Sequence, residues 1–70
     1  MNVLKVKLYE ETMGATYWYI STDKIAEYYY NGLKTKIGLT TGNWIYLDGD
    51  KTAELTKLLT IPGEGKVFTL

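Results

Sequence analysis

The stretch YYYNGLKTKIGLTTGNWIYLD, residues 28–48, decides how this chain is read. Two β-prone runs flank Asn31-Gly32. That dipeptide signals a hairpin, because a type I′ turn needs positive φ at both central residues. Leu33, Thr35, Ile37 and Leu39 then share one face of a strand over residues 33–40, since strand side chains alternate with period two. Thr41-Gly42-Asn43 makes a second tight turn. Residues 44–48 form the next strand, with Ile45 and Leu47 on the side opposite Trp44 and Tyr46.

Upstream, residues 2–9 alternate, with Leu4, Val6 and Leu8 on one face and Lys5, Lys7 and Tyr9 on the other. Residues 10–14 are polar and end in Gly14, which reads as a turn. Residues 16–20 are aromatic and β-prone, with Trp18 and Ile20 alternating against Tyr17 and Tyr19. Ser21-Thr22-Asp23-Lys24 fits one short helical turn. Residues 25–30 extend that turn as a helix or make a strand, and the tyrosine run before Asn31-Gly32 favours the strand.

Downstream, Asp48-Gly49-Asp50 closes the strand, and Asp50 is placed to cap a helix. Leu55, Leu58 and Leu59 then form one helical stripe within residues 51–60. Pro62-Gly63-Glu64-Gly65 stops the helix, and residues 66–70 read as a final strand. The expected fold is α+β: one domain over residues 1–70, an antiparallel sheet of five or six strands, and one short helix packed on one face. A helix of ten residues spans about 15 Å and covers one face only. The other face is then expected to carry Tyr17, Tyr19, Trp44 and Tyr46.

Composition narrows the function. The chain has no His and no Cys, which removes the usual zinc ligands, a thiol nucleophile and the commonest acid–base residue. Ser21 is the only serine and has no base partner. Asp48 and Asp50 lack the further acidic ligands of a calcium loop and read as a turn with a helix cap. Gly63-Glu64-Gly65 precedes no helix and reads as a turn rather than a phosphate loop. No enzyme activity, no cofactor and no metal are expected. Eight lysines balance eight acids, and no Arg is present. Without the bidentate guanine reader and with zero net charge, nucleic acid ranks below protein as a partner.

No stretch approaches the ~18 apolar residues of a membrane span, and the first residues lack a signal-peptide core. A cytoplasmic location away from membranes is therefore expected. Ten of 70 residues are aromatic, seven of them Tyr. Tyr and Trp concentrate at interface hot spots, so the uncovered aromatic face is the expected binding surface. Lys34 and Lys36 join it, and with Lys5 and Lys7 they are read as one basic stripe along two strands. The expected function is a small interaction protein that binds a protein partner. Self-association into a homodimer is a companion expectation, and a nucleic-acid regulator using lysines and stacked aromatics is the alternative. The size and the Arg-free composition, rich in Lys, Ile, Tyr and Asn, suit a phage or mobile-element inhibitor of a host protein.

Residues 21–59 resemble the small β-rich FlbD flagellar-protein family and, more loosely, the LytTR domain. The residues that carry this are Asp23-Lys24-Ile25, Lys36-Ile37-Gly38-Leu39-Thr40-Thr41-Gly42-Asn43, Tyr46, and Asp50 leading into Leu55 and Leu58. The resemblance implies a hairpin followed by a short capped helix over about half the chain. LytTR domains bind DNA through loops rich in Arg and His. This chain has neither residue, so that activity is not carried over.

Overall fold

The computed structural model describes residues 1–10 and 14–70. Most of the turn expected over residues 10–14 lies outside the described residues. The strands are β1 (Val3–Glu10), β2 (Gly14–Ser21), β3 (Ile25–Tyr30), β4 (Lys34–Leu39), β5 (Trp44–Asp48) and β6 (Val67–Thr69). A 3-10 turn (Thr22–Lys24) joins β2 to β3, and one α-helix, α1 (Thr52–Leu59), precedes the loop to β6.

The strands form two three-stranded sheets, in the orders β2-β1-β6 and β3-β4-β5. The α+β composition stands, but the single five- or six-stranded sheet does not. The break falls at the 3-10 turn, where the chain leaves the first sheet and β3 starts a second one rather than pairing with β2. Each sheet places one apolar row inward. Leu4, Val6 and Ile20 from the first meet Ile37, Ile45 and Leu47 from the second, and Leu55 of α1 completes the buried cluster. Burying each such aliphatic side chain contributes about 1.5–3 kcal/mol. The sheets therefore cover each other, and the helix fills an opening beside them. The Tyr28 hydroxyl reaches Thr56 Oγ1 at 2.6 Å, tying β3 to α1.

The final strand also departs from expectation, pairing parallel to β1 through Val3↔Val67, Leu4↔Phe68 and Lys5↔Thr69. A parallel return needs a crossover, and α1 with its following loop supplies one. The return is fastened by Asn2, which is almost fully buried. Its Nδ2 donates to the carbonyls of Ile61 and Pro62, at 3.4 and 3.1 Å. Its Oδ1 accepts from the N–H groups of Glu64 and Lys66, at 3.0 and 3.2 Å. The same loop passes so close to Met1 that a Cβ on Gly63 would collide with the Met1 backbone.

Two local expectations change in mechanism. The β3–β4 turn is not type I′, because only Gly32 has positive φ. Asn31 acts through its side chain, whose Oδ1 accepts from Leu33 N–H at 2.9 Å and Lys34 N–H at 2.7 Å. Leu33 is thereby left in the turn, exposed, and β4 starts at Lys34. At the start of α1, the N-cap position is Lys51 rather than Asp50. Asp50 acts one residue earlier, accepting from Thr52 N–H at 3.0 Å and Thr52 Oγ1 at 2.6 Å.

Candidate functional site

Two sheets that cover each other leave two outer faces. The four aromatic residues expected on one face are therefore divided. Tyr17 and Tyr19 stand on β2, across from Lys7 and Lys5 of β1. Trp44 and Tyr46 stand on β5, across from Gly38 and Lys36 of β4. The expected lysine stripe divides in the same way, with Lys5 and Lys7 on the first sheet and Lys34 and Lys36 on the second.

The outer face of the second sheet is the more organised. Register places Tyr29, Lys36 and Tyr46 in one row across β3, β4 and β5, and Glu27, Gly38 and Trp44 in the next. Tyr29 meets Trp44 edge to face, with ring centroids 6.0 Å apart and planes at 80°, a favoured aromatic geometry. The Lys36 ammonium sits 5.8 Å from the Tyr29 ring and 5.4 Å from the Tyr46 ring. Such a cation is attracted to both ring faces, which holds the three side chains in place. Lys34 pairs with Asp48 across the strands at 3.0 Å, an exposed contact worth at most about 1 kcal/mol. Tyr29, Trp44 and Tyr46 remain 47, 41 and 50% exposed.

The outer face of the first sheet repeats the theme on a smaller scale. Lys5 sits 4.5 Å from the Tyr17 ring and 5.8 Å from the Tyr19 ring. A groove of about 540 Å³ lies between β1 and β5. Lys7 and Leu8 form one wall, and Lys34, Trp44, Ile45, Tyr46 and Asp48 the other. This volume lies within the ~300–1,000 Å³ range of ligand clefts.

Sequence reasoning missed Tyr29 as a member of the site. The signal was present in period two, since Tyr29 must point opposite Tyr28, but it needed the β3–β4 register to place it beside Lys36. Sequence alternation also set Trp18 with Ile20 on the face opposite Tyr17 and Tyr19. Trp18 does share the inward face with Val6 and Ile20, yet it stays 45% exposed, on a strand that ends its sheet among the described residues.

Among the described residues, no three His, Cys, Asp or Glu side chains gather as metal ligands. No helix among them is long and apolar enough to cross a membrane. Comparison with family models, curated proteins and solved structures finds no match to the chain.

Proposed function

We propose that the chain is a small non-enzymatic interaction protein that captures a protein partner on the outer face of β3-β4-β5, around Trp44 and Tyr46. The observation that carries this reading is the arrangement of Tyr29, Trp44 and Tyr46. They are held against one another and around Lys36, on a face that neither the other sheet nor α1 covers. Pre-positioned aromatic side chains lose little freedom on binding, which favours affinity. The neighbouring groove offers a cleft into which a partner side chain fits. An inhibitor of a host protein, encoded by a phage or mobile element, suits the chain's size and composition. The test is co-purification from the native host by the wild type and by a Trp44→Ala/Tyr46→Ala double variant. A partner held by both proteins alike would reject this face as its site.

A second reading is favoured by the interleaving of cations and rings, with Lys36 between Tyr29 and Tyr46 and Lys5 near Tyr17 and Tyr19. Such platforms stack single-stranded bases. Zero net charge and the absence of Arg rank it second. Binding of single strands tighter than about 1 μM, with a steep salt dependence, would promote it.

A further inference from the structure

Of the four strands at sheet edges, three carry features that discourage pairing with another chain. β3 has a register shift between Ile25 and Glu27 and a charge at Glu27. β5 ends in Asp48, and β6 is three residues long. Short edges, charges and bulges are the usual protections. The fourth edge, β2, has none of them: Gly14–Ser21 is eight residues long and reads GATYWYIS, without a charge or a proline.

The direction of its unpaired backbone groups follows from the register. Thr22 N–H donates to Asn2 O at 2.9 Å, so residues 2 and 22 form a hydrogen-bonded pair. Alternation along the antiparallel ladder makes Leu4↔Ile20, Val6↔Trp18 and Leu8↔Thr16 hydrogen-bonded as well. The N–H and C=O groups of Ala15, Tyr17 and Tyr19 and the N–H of Ser21 therefore point away from β1, while the Ser21 carbonyl opens the 3-10 turn as its N-cap. The other edge of β1 agrees, since Val3 N–H and Lys5 O bond to the β6 side.

We propose that β2 pairs antiparallel with β2 of a second copy, joining two three-stranded sheets into one six-stranded sheet about a two-fold axis. A second copy is the occupant because an uncharged strand meets no like-charge repulsion when it faces itself, and because an antiparallel pair of identical strands closes with two-fold symmetry. One register both engages every outward-pointing residue of the edge and sets Trp18 against its own copy. Centring the axis on Trp18 pairs Ala15 with Ser21 and Tyr17 with Tyr19 of the second copy, engaging all four outward-pointing residues. Centring on Tyr17 or Tyr19 engages only three of them. The Trp18-centred register also places the two Trp18 residues opposite each other as a non-hydrogen-bonded pair, about 4.5 Å between Cα atoms. That accounts for a half-exposed tryptophan on an otherwise buried row: its cover comes from the other copy. This surface is separate from the Trp44 face, so either assignment stands without the other.

Since the chain lacks cysteine, single thiols report the geometry directly. Sedimentation equilibrium of the wild type is expected to show a dimer. Under mild oxidation, Trp18→Cys is expected to give a disulfide-linked dimer, because cysteines at opposed strand positions satisfy disulfide geometry. Thr16→Cys, which faces Ile20 of the second copy in this register, and Tyr46→Cys, on the other sheet, are expected to stay largely unlinked. Tyr19→Pro removes only an outward N–H, and proline is tolerated on such edges. It is expected to yield a monomer with an unchanged circular-dichroism spectrum, and a Tyr17→Lys/Tyr19→Lys double variant, which sets like charges opposite each other across the two copies, provides the same block should the proline variant fail to fold. A wild type that stays monomeric up to its solubility limit would overturn the proposal. So would a dimer in which Trp18→Cys links no faster than Tyr46→Cys.

Discussion

Trp44 lies across Gly38: a Cβ built on residue 38 would stand 3.0 Å from Trp44 Cη2 and 3.0 Å from Glu27 Cγ. The indole fills the space of the missing side chain, so the bareness of Gly38 sets the height and tilt of the ring that heads the proposed site.

Gly38→Ala is therefore expected to lift Trp44 away from Tyr29. Overpacking costs about 1–3 kcal/mol, partly offset by the about 0.5–1 kcal/mol that Ala regains over Gly in a regular element. A net loss of about 1 kcal/mol is expected in urea unfolding, with a red shift of tryptophan emission relative to the parent. Unchanged emission from a Trp18→Phe/Gly38→Ala protein, in which Trp44 is the sole tryptophan, would refute this account.

The aromatic positions separate by face. Core aromatics truncated to Ala cost about 3–5 kcal/mol, but Trp44, Tyr46 and Trp18 are each 41–50% exposed. Each Ala variant is expected to lose about 1–2 kcal/mol at most and to stay folded, below the fully buried range. Ile37→Ala and Leu55→Ala, both fully buried, are expected to lose about 2–5 kcal/mol. Chemical denaturation distinguishes the two groups. Trp44→Ala and Tyr46→Ala should also abolish partner capture, since hot-spot aromatics contribute about 2 kcal/mol or more to binding.

Asn2 connects the start of the chain to the loop before β6 through both ends of its amide. Asn2→Ala removes four hydrogen bonds to the loop, each worth about 0.5–1.5 kcal/mol, and a total loss of about 3 kcal/mol is expected. Asn2→Asp is expected to be no better, because a carboxylate cannot donate to the Ile61 and Pro62 carbonyls. Hydrogen exchange should show loss of protection at Val3 and Leu70, whose N–H groups bond across β1 and β6. Protection retained at both would show that the loop is held by other contacts.

Hydrogen bonds from the Thr52 hydroxyl and N–H hold the Asp50 carboxyl below its ordinary value. A depressed folded pKa makes the contribution fully present above the unfolded value, near 3.9, and lost as pH falls through the folded value. Asp50→Asn keeps the acceptor oxygen and removes the titration. Comparing the two proteins by thermal melts between neutral pH and pH 2 is expected to show a steeper acid loss in the wild type. Identical acid profiles would show that Asp50 does not couple to folding.

Local pattern was enough to locate the elements, although for residues 25–30 it favoured a strand over a helix without deciding between them. Period two placed Ile37, Ile45 and Leu47 inward and Trp44 and Tyr46 outward, and the Leu55 stripe located α1, because those assignments depend only on a residue's neighbours in the chain. Tertiary structure alone decided how the strands are grouped. Nothing in residues 21–25 states whether β3 pairs with β2 or begins another sheet, since that choice turns on whether two apolar faces bury more area against each other than against a helix of eight residues. The grouping then divided Tyr17 and Tyr19 from Trp44 and Tyr46, brought Tyr29 beside Lys36, and left Trp18 at an open edge. The burial of Asn2 was likewise invisible, because its four partners lie about sixty residues away and meet it only once β6 returns beside β1.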